Sequence, residues 1–383
     1  MNSNWFLRSE HAIISPKQDL VFLHGGAYWL VPIMAVMILW PASVPVLFWF
    51  WALCFDGPHL WATLSRTYID LESWRSKRTL YLGSLIIIIL PVLIYYIGLA
   101  LNQPSVFFLF LSFAMLWAYH HIVRQHYGFL SLYDRKSNSD PNTHRLSKRY
   151  LYLGLWLPYL HLGLNHPVNI KLFGLQALHQ SIVLHQLIFW LPITLSALII
   201  AHVAWLAYRH QQGRNARVFL LHCLLSHSLI LYVFSRFEPV IGQSRNDAQY
   251  FMGITLLLTL FHNVQYLAFV WQYNRRVYGV NPKDSSNPAK ATMARLLNQN
   301  FLMFFLCALV FSSVYVYFEW AMNDYPNWRG QYHMNTTSWS YIALSLWWGL
   351  SMHHYYLDQK IWRPSRSNRL ASTLSQLNEA KLS

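Results

Sequence analysis

Charged residues are scarce in this chain of 383 residues, because Asp, Glu, Lys and Arg together make up only 11% of it. A soluble globular domain contains about 25% charged residues, so the composition excludes an ordinary soluble domain. Hydrophobic residues make up 55% of the chain and aromatic residues 17%. Since Trp and Tyr collect where a membrane meets water, the composition predicts an integral membrane protein in contact with lipid.

Acidic residues are the scarcer of the two charges: 14 Asp and Glu stand against 29 Lys and Arg, for a formal net charge of +15. No basic stretch is compact enough to form a nucleic-acid footprint, so we expect no nucleic-acid partner. Cysteine is also rare. The three cysteines, Cys54, Cys223 and Cys307, lie in apolar segments and lack the spacing of a metal or disulfide pattern.

Ten apolar segments are long enough to cross about 30 Å of hydrocarbon. They run about Val21 to Trp40, Ala42 to Ser65, Thr79 to Leu101, Ser105 to Val123, Tyr150 to Leu164, Leu187 to Tyr208, Val218 to Ser235, Tyr250 to Trp271, Asn300 to Met322 and Ser338 to Leu357. We therefore predict an all-α membrane bundle of about ten transmembrane helices over residues 1–363, followed by a polar cytosolic tail over residues 364–383.

Basic residues follow every even-numbered segment, as Arg75, Lys77 and Arg78 follow the second and Arg275 and Arg276 the eighth. The opposite loops carry few basic residues. Because Lys and Arg concentrate in cytosolic loops, this alternation predicts that both termini are cytosolic. In a bacterium the membrane would be the plasma (inner) membrane.

Nineteen histidines are many for a membrane protein, and an ionisable residue inside a membrane is costly and usually functional. In the predicted topology, most membrane histidines share one layer towards the cytosolic side. Imidazoles from several helices could surround one centre in that layer. The predicted metal ligands are His59, His120, His121, His262, His353, His354 and the carboxylate of Asp358, one helical turn after His354.

A polar stripe surrounds the first of these histidines. On a continuous helix, Asp56, His59, Thr63, Arg66 and Asp70 share one face, which lipid would not tolerate, so this face should point into the bundle. Asp56 could orient the His59 imidazole as a hydrogen-bond acceptor. The alternative is a structural ion-pair network at the helix end.

A basic residue follows the paired histidines of the fourth segment. Arg124 lies at the predicted membrane interface, where a guanidinium could hold an anionic head group of a substrate. We therefore group Arg124 with Asp56 as candidate catalytic residues.

The paired histidines His120–His121 and His353–His354 resemble the double-histidine boxes of membrane fatty-acid desaturases and hydroxylases. The spaced boxes of those families are not present in order. The pair Pro58–His59 is similar to a Pro-His pair of the bacterial Brp/Blh carotene dioxygenases. These resemblances imply non-haem iron, and the desaturase-like families hold two iron ions. They also imply dioxygen, a hydrophobic substrate from the bilayer, and an electron-donor protein.

Several functions are compatible with this pattern. The leading interpretation is a membrane-embedded, histidine-ligated metalloenzyme, an iron-dependent oxygenase or desaturase-like enzyme that acts on a lipid or isoprenoid from the inner leaflet. The main alternative is a transporter or proton-coupled carrier whose histidines relay protons. A b-type haem protein and a structural role for the histidines also stay open.

Overall fold

A computed structural model describes residues 9–166, 170, 175–237, 247–278, 297–298, 300–320, 339–364 and 367–377. The described residues form helices and no strand, which confirms the predicted all-α class. In chain order the longer helices are α1 (Pro16–Leu39), α2 (Ser43–Trp51, continued by Ala52–Asp56, Gly57–Leu64 and Ser65–Ile69), α3 (Leu71–Ser84 and Ile86–Ala100), α4 (Ser105–Lys136), α5 (Pro141–Asn165), α6 (Ile182–Arg209), α7 (Arg214–Ser228 and Leu229–Val233), α8 (Asp247–Tyr278), α9 (Phe301–Trp320), α10 (Trp339–Ile361) and α11 (Asn368–Gln376).

Six of the described helices, α1, α3, α4, α6, α7 and α8, are long and apolar enough to cross a membrane. They fit an integral membrane protein. Within the described residues, each of the ten segments predicted from the sequence falls on one of the helices α1 to α10. Residues 321, 322 and 338, at the ends of the last two segments, lie outside the described residues.

The chain divides into two compact units. The first unit comprises Met1–Val46 and Ile122–His262, and the second comprises Leu47–His121 and Asn263–Ser383. Three continuous helices pass through this division, since α2 contains both Val46 and Leu47, α4 contains both His121 and Ile122, and α8 contains both His262 and Asn263.

In the first unit, α5, α6 and α7 pack against one another. Gly154 on α5 allows the close approach, because a Cβ atom at this position would overlap the Leu224 side chain of α7. Leu151, Leu155 and Leu220 are also buried. These apolar contacts help to hold the three helices together.

In the second unit, α3 packs closely on α10. A Cβ atom at Gly349 of α10 would overlap the backbone of Ile88, so glycine permits backbone contact here. Tyr95 and Trp347 belong to the buried cluster beside this contact. The packing fixes the rotation of α10 about its axis, which decides where its histidines point.

A π-helical turn precedes His59 in α2. In this turn the Gly57 N–H bonds to the carbonyl of Ala52, five residues earlier. Pro58 has no N–H, so the next carbonyl, that of Leu53, accepts instead from the Ser312 hydroxyl of α9 at 2.7 Å. A Cβ atom at Gly57 would overlap this serine side chain. The sequence Gly-Pro thus joins α2 to α9 directly before the first histidine of the site.

The predicted polar tail includes a helix, α11, which the sequence analysis did not anticipate. Ser367 caps its first turn by accepting from the Leu370 N–H at 3.2 Å. Leu370 and Leu374, four residues apart, are buried. This spacing gives α11 one apolar face, so this part of the tail packs on the protein.

Candidate metal centre

Four histidines from four helices form a buried group: His59 on α2, His121 on α4, His262 on α8 and His354 on α10. Each is at most 3% exposed. Three belong to the second unit, and His262 directly precedes Asn263 of that unit on the continuous helix α8. We call this group the histidine cluster.

The spacing of the histidine cluster fits one metal ion. Each imidazole offers one nitrogen, and these atoms all lie within 4.8 Å of one another. Two nitrogens on opposite sides of a metal at about 2.1 Å would be about 4.2 Å apart. The separations in the histidine cluster are therefore close to those of ligands that share one ion.

The rings approach each other at steep angles. The His354 ring centroid lies 4.5 Å from that of His59 and 4.9 Å from that of His121, with interplanar angles of 73° and 70°. Imidazoles stacked face to face would turn their nitrogens away from a shared centre. Steep angles are what convergence on one ion requires.

Hydrogen bonds assign the tautomer of His354. The hydroxyls of Thr63 and Tyr266 donate to Oδ1 of the Asp358 carboxylate at 2.7 and 2.6 Å. The Thr63 oxygen also lies 2.7 Å from Nδ1 of His354. Because the Thr63 proton is already directed at the carboxylate, Nδ1 of His354 must donate. The other ring nitrogen, Nε2, then carries a lone pair, as a metal ligand needs.

The second carboxylate oxygen faces the histidine cluster. Oδ2 of Asp358 lies 3.7 Å from Nε2 of His354 and 4.0 Å from Nε2 of His121. Nε2 of His354 is buried and has no hydrogen-bond partner among the residues that the structure describes. A buried polar atom without a partner is costly, and a metal ion between these groups would satisfy it. Asp358 lies beside the histidine cluster, and its role as a ligand stays a prediction.

Only one member of each histidine pair joins the histidine cluster. His353 directs Nε2 at the hydroxyls of Tyr68 and Ser84, at 3.0 and 3.1 Å. His120 is half-buried and lies outside the group. Neighbouring residues on a helix point about 100° apart, which separates the members of each pair. Among the described residues, the structure therefore brings together four of the six predicted histidines. These four form the group that could hold a metal ion.

Asp56 is buried and connects three helices. Its carboxylate accepts hydrogen bonds from the Tyr315 hydroxyl at 2.8 Å and from the Asn263 amide at 3.2 Å. Because Asn263 follows His262, this contact fixes α8 next to a ligand. Asp56 thus ties α2 to α8 and α9, while the role predicted for it as an acceptor for His59 stays a prediction.

The rest of the polar stripe on α2 is also buried, as predicted for Thr63, Arg66 and Asp70. Nη1 of Arg66 lies 2.6 Å from Oδ2 of Asp70. Nη2 of Arg66 donates to the Tyr273 hydroxyl at 2.7 Å. Asp70 in turn caps α3, since it accepts from the Ser73 N–H at 3.0 Å. This end of the stripe forms the structural ion-pair network that the sequence left as the alternative.

Arg124 belongs to the first unit and is exposed. Its guanidinium donates to the Tyr152 hydroxyl at 3.4 Å and lies 5.8 Å from the Tyr127 ring. An exposed guanidinium beside aromatic rings can bind an anionic head group at an interface.

No protein-family model matches this chain, and no curated protein or solved structure matches it.

Proposed function

We propose that this protein is a membrane-embedded enzyme that binds one non-haem iron ion in the histidine cluster and uses dioxygen to oxidise a lipid or isoprenoid. The observation that carries the proposal is the convergence of four buried imidazoles, with ligand atoms within 4.8 Å of one another.

The donor set favours iron. Imidazole ligands suit zinc, copper, iron and nickel, whereas soft thiolates would select other ions. No cysteine belongs to the group among the described residues. Structural zinc sites are closed by four ligands in a tetrahedron, whereas Asp358, with Oδ2 3.7 and 4.0 Å from Nε2 of His354 and His121, would offer a fifth donor here. A bound iron ion with a free position would supply the redox chemistry with dioxygen.

The residues around the ligands hold and shield the site. Thr63 and Tyr266 fix one oxygen of Asp358, so that the other faces the histidines. The Tyr355 ring stacks on His121 at a centroid distance of 4.5 Å, and Tyr266 lies 4.5 Å from His59. These aromatic rings exclude water, which suits an apolar substrate and protects reactive species from hydrolysis.

The setting that we propose follows from the loop charges. All ten helices α1 to α10 cross the membrane, both termini are cytosolic, and in a bacterium the membrane is the plasma membrane. The substrate reaches the site from the inner leaflet, with Arg124 binding an anionic head group where one is present. A cytosolic electron-donor protein supplies the reducing equivalents.

A proton-coupled carrier is the second candidate. The observation that favours it is a hydrogen-bonded series of titratable side chains in the first unit, among them Asp19, His24 and His222. A carrier would move a solute without changing its bonds, whereas an oxygenase changes the mass of its substrate.

That difference in mass provides the test. The purified protein is placed in nanodiscs made from lipids of its native membrane, loaded with ferrous iron, and supplied with a reductant and isotope-labelled dioxygen. Lipid mass spectrometry should show a labelled oxygen in one lipid class, or the loss of two hydrogens from it. His121→Ala should abolish the change, because it removes a ligand. Identical lipid profiles for the wild type and His121→Ala would refute the enzymatic proposal.

A further inference from the structure

A continuous series of hydrogen bonds crosses the interior of the first unit. The Tyr133 hydroxyl of α4 lies 2.8 Å from Oδ2 of Asp19 and 3.1 Å from Nε2 of His24, both on α1. Nδ1 of His24 lies 2.9 Å from Nδ1 of His222 on α7. Nε2 of His222 lies 3.0 Å from the Tyr28 hydroxyl. Five titratable side chains are thus connected end to end.

The direction of every proton in this series is determined from one end. The Asp19 carboxylate only accepts, so Tyr133 must donate to it. Tyr133 then accepts from Nε2–H of His24, which leaves Nδ1 of His24 as an acceptor. Nδ1 of His222 must donate to that atom, and Nε2 of His222 accepts from Tyr28. With Asp19 ionised and both imidazoles neutral, each imidazole therefore has one tautomer.

The two ends of the series differ in their access to the surroundings. Asp19 and His24 are fully buried at 0% exposure, whereas Tyr28 is 47% exposed. The Asp19 carboxylate is held by the N–H groups of Ile13 and Ile14, at 2.7 and 2.9 Å. The series therefore joins the partly exposed Tyr28 hydroxyl to the fully buried Asp19 carboxylate.

We propose that these five side chains form a relay that carries one proton between Tyr28 and Asp19. A hydronium ion or another small acid at the exposed side of Tyr28 gives a proton to the Tyr28 oxygen, and the Tyr28 proton moves to Nε2 of His222. His222 passes its Nδ1 proton to His24, His24 passes its Nε2 proton to Tyr133, and Tyr133 protonates Asp19. One proton enters, one reaches the carboxylate, and the charge of Asp19 changes from −1 to 0.

The protonated state is also fully hydrogen-bonded. Each contact keeps its two atoms and reverses its donor, so that Asp19 donates to Tyr133 and His222 donates to Tyr28 through Nε2. Both histidines change tautomer without forming an imidazolium. This feature distinguishes a relay from a set of independent titrations, in which an imidazole would gain a charge.

The packing keeps the series in place. The Phe219 ring lies 5.6 Å from the His24 ring and 5.4 Å from the Tyr133 ring. Asp19 and His24 stand at the two ends of a π-helical turn, in which the His24 N–H bonds to the Asp19 carbonyl at 2.9 Å. The buried thiol of Cys223 is a further titratable group near Tyr133. These groups belong to the first unit and do not depend on a metal in the histidine cluster.

Magnetic resonance of isotope-labelled histidine nitrogens tests the relay in the full-length protein in detergent. An infrared carboxylic-acid band that is absent in Asp19→Asn reports the protonation of Asp19. As the pH falls, His24 should lose its proton at Nε2 and gain one at Nδ1, and His222 should change in the opposite sense, with the same midpoint as the infrared band. An imidazolium at that midpoint, or tautomers that stay constant, would overturn the proposal.

Tyr133→Phe removes the hydroxyl that joins His24 to Asp19. Both tautomer changes should then become independent of Asp19, while Tyr232→Phe should behave as the wild type, because Tyr232 bonds to Ser196 outside the series. Tyr28→Phe should slow the protonation of Asp19 after a pH jump about tenfold, which equals about 1.4 kcal/mol of barrier. Coupled tautomers in Tyr133→Phe, or an unchanged rate in Tyr28→Phe, would contradict the relay.

Discussion

Thr63 is the residue whose role in the metal centre can be tested most selectively. Its hydroxyl donates to Asp358 and accepts from Nδ1 of His354. Thr63→Val keeps the volume and the branched shape of the side chain but removes these two hydrogen bonds and the 2.7 Å contact with the Tyr266 hydroxyl. His354 then loses the partner that sets its tautomer, and Asp358 loses one of the two donors that fix its orientation.

The expected effect on metal binding follows from the loss of one orienting contact. Removing a hydrogen-bond partner of a metal ligand lowers metal affinity about 10–100-fold, which equals about 1.4–2.8 kcal/mol. The buried groups left unpaired cost about 1–3 kcal/mol of folding stability in addition. Iron affinity should therefore fall more than stability alone would explain.

Competition with an iron chelator measures the affinity, and thermal unfolding of the iron-free protein measures the stability. Thr67→Val is the matched control, because Thr67 lies one turn away on α2, is equally buried at 0% exposure, and bonds only to the backbone carbonyls of Thr63 and Leu64 in the contacts described. Thr67→Val should keep the iron affinity of the wild type. An equal iron affinity for both variants would refute the assigned role of Thr63.

Two further predictions concern the scaffold that positions the histidines. Gly57→Ala should destabilise the protein by about 1–3 kcal/mol through overlap with Ser312. The control Gly83→Ala, with no atom within 4 Å of its Cβ position, should change stability by less than about 1 kcal/mol. Equal unfolding midpoints for the two variants would contradict the close approach of α9. Asp70→Asn leaves the buried Arg66 without its carboxylate and should lower the free energy of unfolding by about 3–5 kcal/mol. Chemical unfolding in detergent measures this change. A decrease below about 1 kcal/mol would show that stability does not depend on the ion pair.

The positions of the helices could be predicted from the sequence because the signal is local. When lipid surrounds a run of apolar residues, its backbone N–H and C=O groups must bond to one another within a helix, because no water is available. Each predicted segment falls on a helix within the described residues. The histidine layer could also be predicted from the sequence, because the position of a histidine within a predicted span gives its predicted depth in the membrane. His59, His121, His262 and His354 were all among the predicted ligands.

The choice within each histidine pair could not be made from the sequence. Whether His353 or His354 enters the histidine cluster depends on the rotation of α10, which the contact of Gly349 with Ile88 fixes. The π-helical turns of α2 shift the phase of its residues, and periodicity calculated for a regular helix does not include them.

The contacts of Asp358 also could not be predicted from the sequence. Thr63 and Tyr266 meet this carboxylate from positions 295 and 92 residues away. The same holds for the relay, where His24 and His222 share the predicted layer but stand 198 residues apart. Residue type and depth indicated which groups were candidates, and only the packing of the helices shows which of them meet.

Metal content of the detergent-purified protein, measured by mass spectrometry beside His354→Ala and His353→Ala, tests the central claim most directly. These two neighbours on α10 are both buried at 1% exposure, but only His354 belongs to the histidine cluster. We expect about one iron per chain in the wild type and in His353→Ala, and none in His354→Ala, with helicity unchanged. A wild-type protein without stoichiometric metal, or equal metal in the two variants, would contradict the metal centre.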